Sequence, residues 1–162
     1  MKNEIIIKET IVDYSDYFER KNLTKETREK FNSVDFLALP TRYDKSEYYF
    51  AQETVDFIKF CRTNSTEYSF DALADENIEV RSLHSFDIWM PIIWVSSSVL
   101  LPFAINMVSS YIYDKMKGRE KEDANVDVTF FVKKGDEEKY IHYSGDAKTF
   151  KENFEKIDLN IM

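Results

Sequence analysis

Between Asp87 and Asp114 the chain runs for 26 residues without a formal charge, IWMPIIWVSSSVLLPFAINMVSSYIY. Any fold must shelter most of that apolar surface from water. As one helix it would be about 39 Å long, more than the roughly 30 Å of a bilayer's hydrocarbon layer. Trp89 stands at one end and Tyr111 and Tyr113 at the other, where interfacial aromatics sit, and Lys115, Lys117, Arg119 and Lys121 follow. Five serines, Asn106, Pro91 and Pro102 weaken a spanning helix. Pro91 suits a first helical turn, whereas Pro102 would crowd the carbonyl of Ser98 and bend the helix at its middle. The basic cluster would also hold the C-terminal side in the cytoplasm, sending residues 1–86, with 12 basic and 17 acidic side chains, across the bilayer. A membrane between the early and late strands would forbid their pairing. Residues 87–115 are therefore read as one long apolar helix wrapped in protein. Insertion of residues 88–113 into a membrane is the alternative.

The chain of 162 residues has 3 Gly and 3 Pro, leaving little material for linkers, and shows no internal repeat, so residues 1–162 are read as one domain. With 22 basic and 30 acidic residues its net charge is -8, which disfavours nonspecific nucleic-acid binding. A single cysteine, Cys61, rules out an intrachain disulfide, and the N-terminus has only a three-residue apolar run before charges resume. The expected compartment is the cytoplasm, with the inner membrane as the alternative.

Glu4–Tyr14 is rich in β-branched residues and predicts a first strand, with Ile5, Ile7 and Ile11 on one side. Ser15 and Thr24 are placed to cap two short helices, and VDFLALP predicts a strand ended by Pro40. Phe50, Thr54, Phe57, Ile58 and Cys61 recur at helical spacing, with Asp44 or Ser46 as cap, and put Cys61 on a buried side. EYSFDAL and IEVRSL predict a hairpin around ADEN, with Tyr68, Phe70 and Ala72 alternating against Ile78 and Val80. After the charged connector DKMKGREKEDAN, residues 126–158 predict a clearer hairpin turning at KKGD and a closing helix. Ser144 or Asp146 is the cap, and Phe150, Phe154 and Ile157 form the apolar stripe. The order implies an α+β fold, with a mixed or antiparallel sheet built from an N-terminal strand and two hairpins.

Chemistry is sparse. His84 and His142 are the only histidines, and the spacing of His and Cys contains no local zinc motif. Gly118, Gly135 and Gly145 are too scattered for a phosphate cradle, and Gly-x-Ser-x-Gly is absent. Cys61 reads as a buried thiol rather than a nucleophile. Asp71 followed by Glu79-Val80-Arg81 is one arrangement that could hold Mg²⁺ for a nuclease, against alternating charge on the outside of a hairpin. No cofactor is expected.

The apolar helix, charged break, hairpin VDVTFFVKKGDEEKYIHY and closing helix DAKTFKENFEKI, residues 87 to 158, resemble the small effector-associated accessory proteins of bacterial conflict systems. The resemblance implies a non-enzymatic module with a partner; a protein partner or homo-oligomer is expected, and the acidic net charge argues against nucleic acid. The 15% aromatic content, 13 Phe and 10 Tyr, supplies side chains suited to a core or an interface. Trp89, Trp94, Phe103 and Tyr111 on the central helix are the expected contact residues.

Overall fold

A computed structural model describes residues 4–10, 13–43, 47–75, 78–81, 87–118 and 123–155. Its first strand, β1 (Glu4–Thr10), leads into the short helices α1 (Ser15–Lys21) and α2 (Lys25–Arg28) and a 3-10 turn (Glu29–Asn32). Thr24 caps α2 as expected, its hydroxyl accepting from Thr27 N. Ser15 instead opens α1, and Asp13 accepts both its N–H and its hydroxyl. Then come β2 (Phe36–Leu39), the small antiparallel pair β3 (Thr41–Tyr43) and β4 (Glu47–Tyr49), helix α3 (Thr54–Asn64) and β5 (Phe70–Ala72). The rest is β6 (Ile88–Val95), a 3-10 turn (Ser98–Leu100), α4 (Leu101–Met116), β7 (Asn125–Lys134), β8 (Glu137–Asp146) and α5 (Phe150–Glu155). The α+β class is as read from the sequence, and six strands join in one sheet of order β1-β8-β7-β6-β2-β5.

The uncharged run is not one helix. Its first third, Ile88–Val95, is a central strand, antiparallel to β2 on one side and parallel to β7 on the other. A strand buried on both faces reads as a continuous apolar run, which sequence periodicity does not separate from a buried helix. Both prolines fit this division. Pro91 falls in the register shift between Trp89 and Ile92, where a missing N–H breaks no regular ladder bond. Pro102 lies in the first turn of α4, after Ser97 has capped the preceding 3-10 turn through Val99 N, so the expected mid-helix bend does not arise. Among the described residues no helix is long and apolar enough to cross a membrane, and residues 88–113 are shared between a paired strand, a 3-10 turn and α4 instead of forming the single helix expected of them.

The first predicted hairpin is also replaced. Phe70 and Ala72 are buried as their alternation implied, but β5 pairs in parallel with β2, and Val80 makes only an isolated parallel bridge to Phe50. Residues 82–86, and with them His84, lie outside the described residues, as do the candidate caps Asp44 and Ser46, Ile11 and Ile157. Helix α3 starts at Thr54, later than its proposed caps would place it. The second hairpin forms as expected. A two-residue loop joins its strands, and Gly135 at φ +62° gives it the left-handed first position of a type II′ turn.

One face of the sheet carries the main core. Val126, Val128, Phe130 and Val132 of β7, Ile141 and Tyr143 of β8, and Ile93 and Val95 of β6 pack under α3, α4 and α5. Phe150 and Phe154 lie in this core, as their spacing predicted. On the opposite face, α1, α2 and the first 3-10 turn cover only the part formed by β2, β6 and the start of the loop after β5, around Leu37, Leu39, Leu73 and Trp94. Among the described residues no helix lies over the half of this face made of β7, β8 and β1. That asymmetry positions the candidate site.

Candidate interaction surface

Of the four expected contact residues, two are core. Trp94 is 3% exposed, with Phe31 edge-on at 5.0 Å, and Tyr111 is 2% exposed between Phe57 and Phe60, each ring at 5.4 Å. Neither is available to a partner, because the strand assignment turns Trp94 inward and α3 covers Tyr111. Phe103 is half-buried and stacks on Phe36 at 5.8 Å. Trp89 alone reaches the uncovered side of the sheet, beside Asp127 of β7.

That side is built by alternation. In β8, Ile141 and Tyr143 point to the core, so Tyr140, His142 and Ser144 point away from it. The β1 residues opposite them are Lys8, Ile6 and Glu4. Lys8 Nζ lies 4.7 Å from the centre of the Tyr140 ring, a cation–π contact, and the Phe131 ring packs against the same ring with centroids 5.5 Å apart. His142 Nε2 donates to Asp127 Oδ2 at 2.9 Å. Between β6, β7 and the chain near Gln52 and Arg81, Trp89, Asp127, Thr129 and Tyr140 line a cavity of about 270 Å³. Trp89 Nε1 is buried without a hydrogen-bond partner among the described residues. Buried polar atoms are normally paired, so this donor is an exception within the fold.

The hydrogen bond to Asp127 raises the His142 pKa above the ordinary histidine value, with the charges of Asp127 and Glu4 adding to it against partial burial. Because the folded pKa is the higher one, the pair's stabilisation is complete below the unfolded value of about 6.5 and fades as pH rises through the folded value. Asp127→Asn is expected to lower the His142 pKa in an NMR titration and to flatten the pH dependence of stability in that window. An unchanged titration would show that the pair does not form.

The strand edges differ. At the β5 edge, Arg62 Nε donates to Phe70 O at 3.0 Å and Lys30 Nζ to Ala72 O at 2.9 Å, so side-chain cations occupy its carbonyls. At β1 nothing among the described residues hydrogen-bonds to the outer edge, and Ile6 and Ile7 are each 39% exposed on opposite faces. Native edges are usually short, bulged or covered; β1 pairs without a register shift over its whole length.

The other chemical candidates close on themselves. A cleft of about 660 Å³ beside α1 and α2 holds both Asp71 and Glu79. Asp71 is paired with Lys30 at 3.1 Å and Arg62 at 3.2 Å, Glu79 with Lys21 at 3.2 Å, and Thr24 Oγ1 donates to Asp75 at 2.9 Å. Asp71 and Glu79 are thus paired with cations and Asp75 with a hydroxyl, and among the described residues no three His, Cys, Asp or Glu converge to hold a metal. The hairpin that was to set Asp71 and Glu79 on adjacent strands is not formed, since β5 pairs with β2 and Val80 bridges to Phe50. Cys61 is fully buried and its thiol pKa is pushed up by that burial, as befits a packing residue.

The fold and surface define an α+β protein with a mixed sheet that, among the described residues, is half-covered on one face and bare along the β1 edge. No family model, curated protein or solved structure matches the chain.

Proposed function

We propose that this protein is a non-enzymatic interaction module that receives an extended strand of a partner protein along β1, with the partner's side chains resting on Ile6, Tyr140 and Trp89. The edge of β1, bare among the described residues, carries the reading: main-chain groups on such an edge supply affinity for an added strand, and the side chains flanking them supply selectivity. The aromatic cluster beside it supports the reading, since rigid rings bury large area at small entropic cost. An accessory role in a bacterial defence system is the setting implied by the resemblance of residues 87–158.

Native mass spectrometry of the protein alone and with the products of adjoining genes tests this. The expected result is a complex that Ile6→Asp weakens about tenfold or more, because a carboxylate would be desolvated at the centre of the contact, with the unfolding midpoint little changed. A chain that associates with nothing, itself included, yet turns over a nucleotide or nucleic acid would sink the proposal.

A further inference from the structure

We infer that the strand received by β1 is β1 of a second copy, paired antiparallel about a two-fold axis through Ile6, so that two six-stranded sheets become one continuous sheet. This rests on the reading of β1 as a contact edge and names its occupant.

The register follows from backbone geometry and charge. Neighbouring residues of a strand aim their N–H and C=O groups at opposite edges, so two copies of β1 can pair only with one residue facing itself across the axis. With Ile5 there, Glu4 would face an isoleucine. With Ile7 there, Lys8 would face Ile6. With Ile6 on the axis, each Glu4 faces the other copy's Lys8, each Ile5 faces an Ile7, and Ile6 meets Ile6. Directly opposed unlike charges and β-branched pairs are the favourable combinations across strands, and this register alone makes every one of these pairs favourable.

The faces agree with that choice. Glu4, Ile6 and Lys8 lie opposite Ser144, His142 and Tyr140, on the uncovered side of the sheet, while Ile5 and Ile7 lie opposite the buried Tyr143 and Ile141. Pairing would therefore cover the exposed Ile7 against Ile5 of the other copy on the core side. It would also set two Tyr140 rings and two His142–Asp127 pairs on either side of the axis on the open side. The other edge of the sheet is unsuited to the same use, being three residues long and occupied by Lys30 and Arg62. An isologous contact of this kind closes at two copies, since each β1 is consumed by the other. Its area is small, so the dimer is expected to dissociate on dilution.

Cysteine cross-linking of the full chain reads the register directly. Residues facing each other across antiparallel strands have Cα atoms about 4.5–5.5 Å apart, inside the range that a disulfide accepts. Ile6→Cys is expected to give a covalent dimer on mild oxidation, Ile7→Cys little, and an Ile5→Cys and Ile7→Cys mixture a mixed dimer. The native Cys61 is buried and leaves the parent chain as an uncross-linked control. Charge reversal gives a second measurement that misfolding cannot imitate. Glu4→Lys and Lys8→Glu should each weaken self-association about tenfold in sedimentation, and mixing the two variants should restore it, because every cross-strand pair is then unlike. Cross-linking equal at Ile6→Cys and Ile7→Cys, or no recovery on mixing, overturns the register. A strict monomer at every concentration overturns the self-pairing; if that monomer still binds a neighbouring gene's product in a manner abolished by Ile6→Asp, the contact edge stands with a different occupant.

Discussion

Trp94→Ala is expected to destabilise the protein by about 3–5 kcal/mol, the range for deleting a buried large aromatic side chain. Trp94 is 3% exposed in β6, opposite Leu37 of β2 and Phe131 of β7, and its ring meets Phe31 edge-on. The cavity left would lie between the sheet and the first 3-10 turn, where three separate elements would have to move to fill it. Val99→Ala is the matched control a few residues on: Val99 is 82% exposed, and its loss should change stability by no more than about 0.5 kcal/mol. Urea unfolding of the two variants distinguishes the strand from a continuous central helix, on which Trp94 would be an outward contact residue. A near-neutral Trp94→Ala would refute the placement of Ile88–Val95 in the sheet.

The second large effect concerns the junction of α3 and α4. Glu53, at the start of α3, is buried, and it accepts from Tyr111 Oη at 2.7 Å while Lys115 Nζ stands 3.4 Å away. Burial, reinforced by the hydrogen bond and charge of Glu53, holds the Tyr111 phenol far above the ordinary tyrosine range, so it remains a donor at all working pH values. Tyr111→Phe keeps the ring contacts with Phe57 and Phe60 and removes only the donor. The cost expected is about 1–3 kcal/mol, that of leaving a buried acceptor short of a partner. Glu53→Ala strands the hydroxyl instead. The double variant should therefore cost less than the two singles together by at least about 0.5 kcal/mol. Strict additivity in denaturant unfolding would mean that the bond contributes nothing to the packing of the two helices.

Local pattern was enough for some elements. The hairpin of β7 and β8 follows from the alternation of Val126, Val128, Phe130 and Val132 and from a glycine free to take positive φ at the turn. Helix α5 presents Phe150 and Phe154 to the core at the spacing its sequence shows. The cap of α2 at Thr24 and the end of β2 before Pro40 are likewise local events. Each of these is settled by residues within one turn or one hairpin of each other.

Three assignments needed contacts from far along the chain. Ile88–Val95 became a strand because β2 and β7 flank it, and its apolar run alone suits a helix equally well. Phe70–Ala72 found β2 rather than its sequence neighbour because α3 carries the chain back to lie parallel to that strand. Of the expected contact residues, Trp89 alone stayed on the open side, while Tyr140, His142 and Ile6 emerged as its companions. Their alternation was visible in the sequence, but alternation says only that two sets of side chains point to opposite faces. Which face is covered depends on where α1, α2 and α5 dock, and that is a matter of long-range packing. The chain's own pattern thus chose the pleat and the turn; the docking of distant helices chose which side of the pleat would meet water, because burying apolar area is indifferent to the order in which its pieces occur along the backbone.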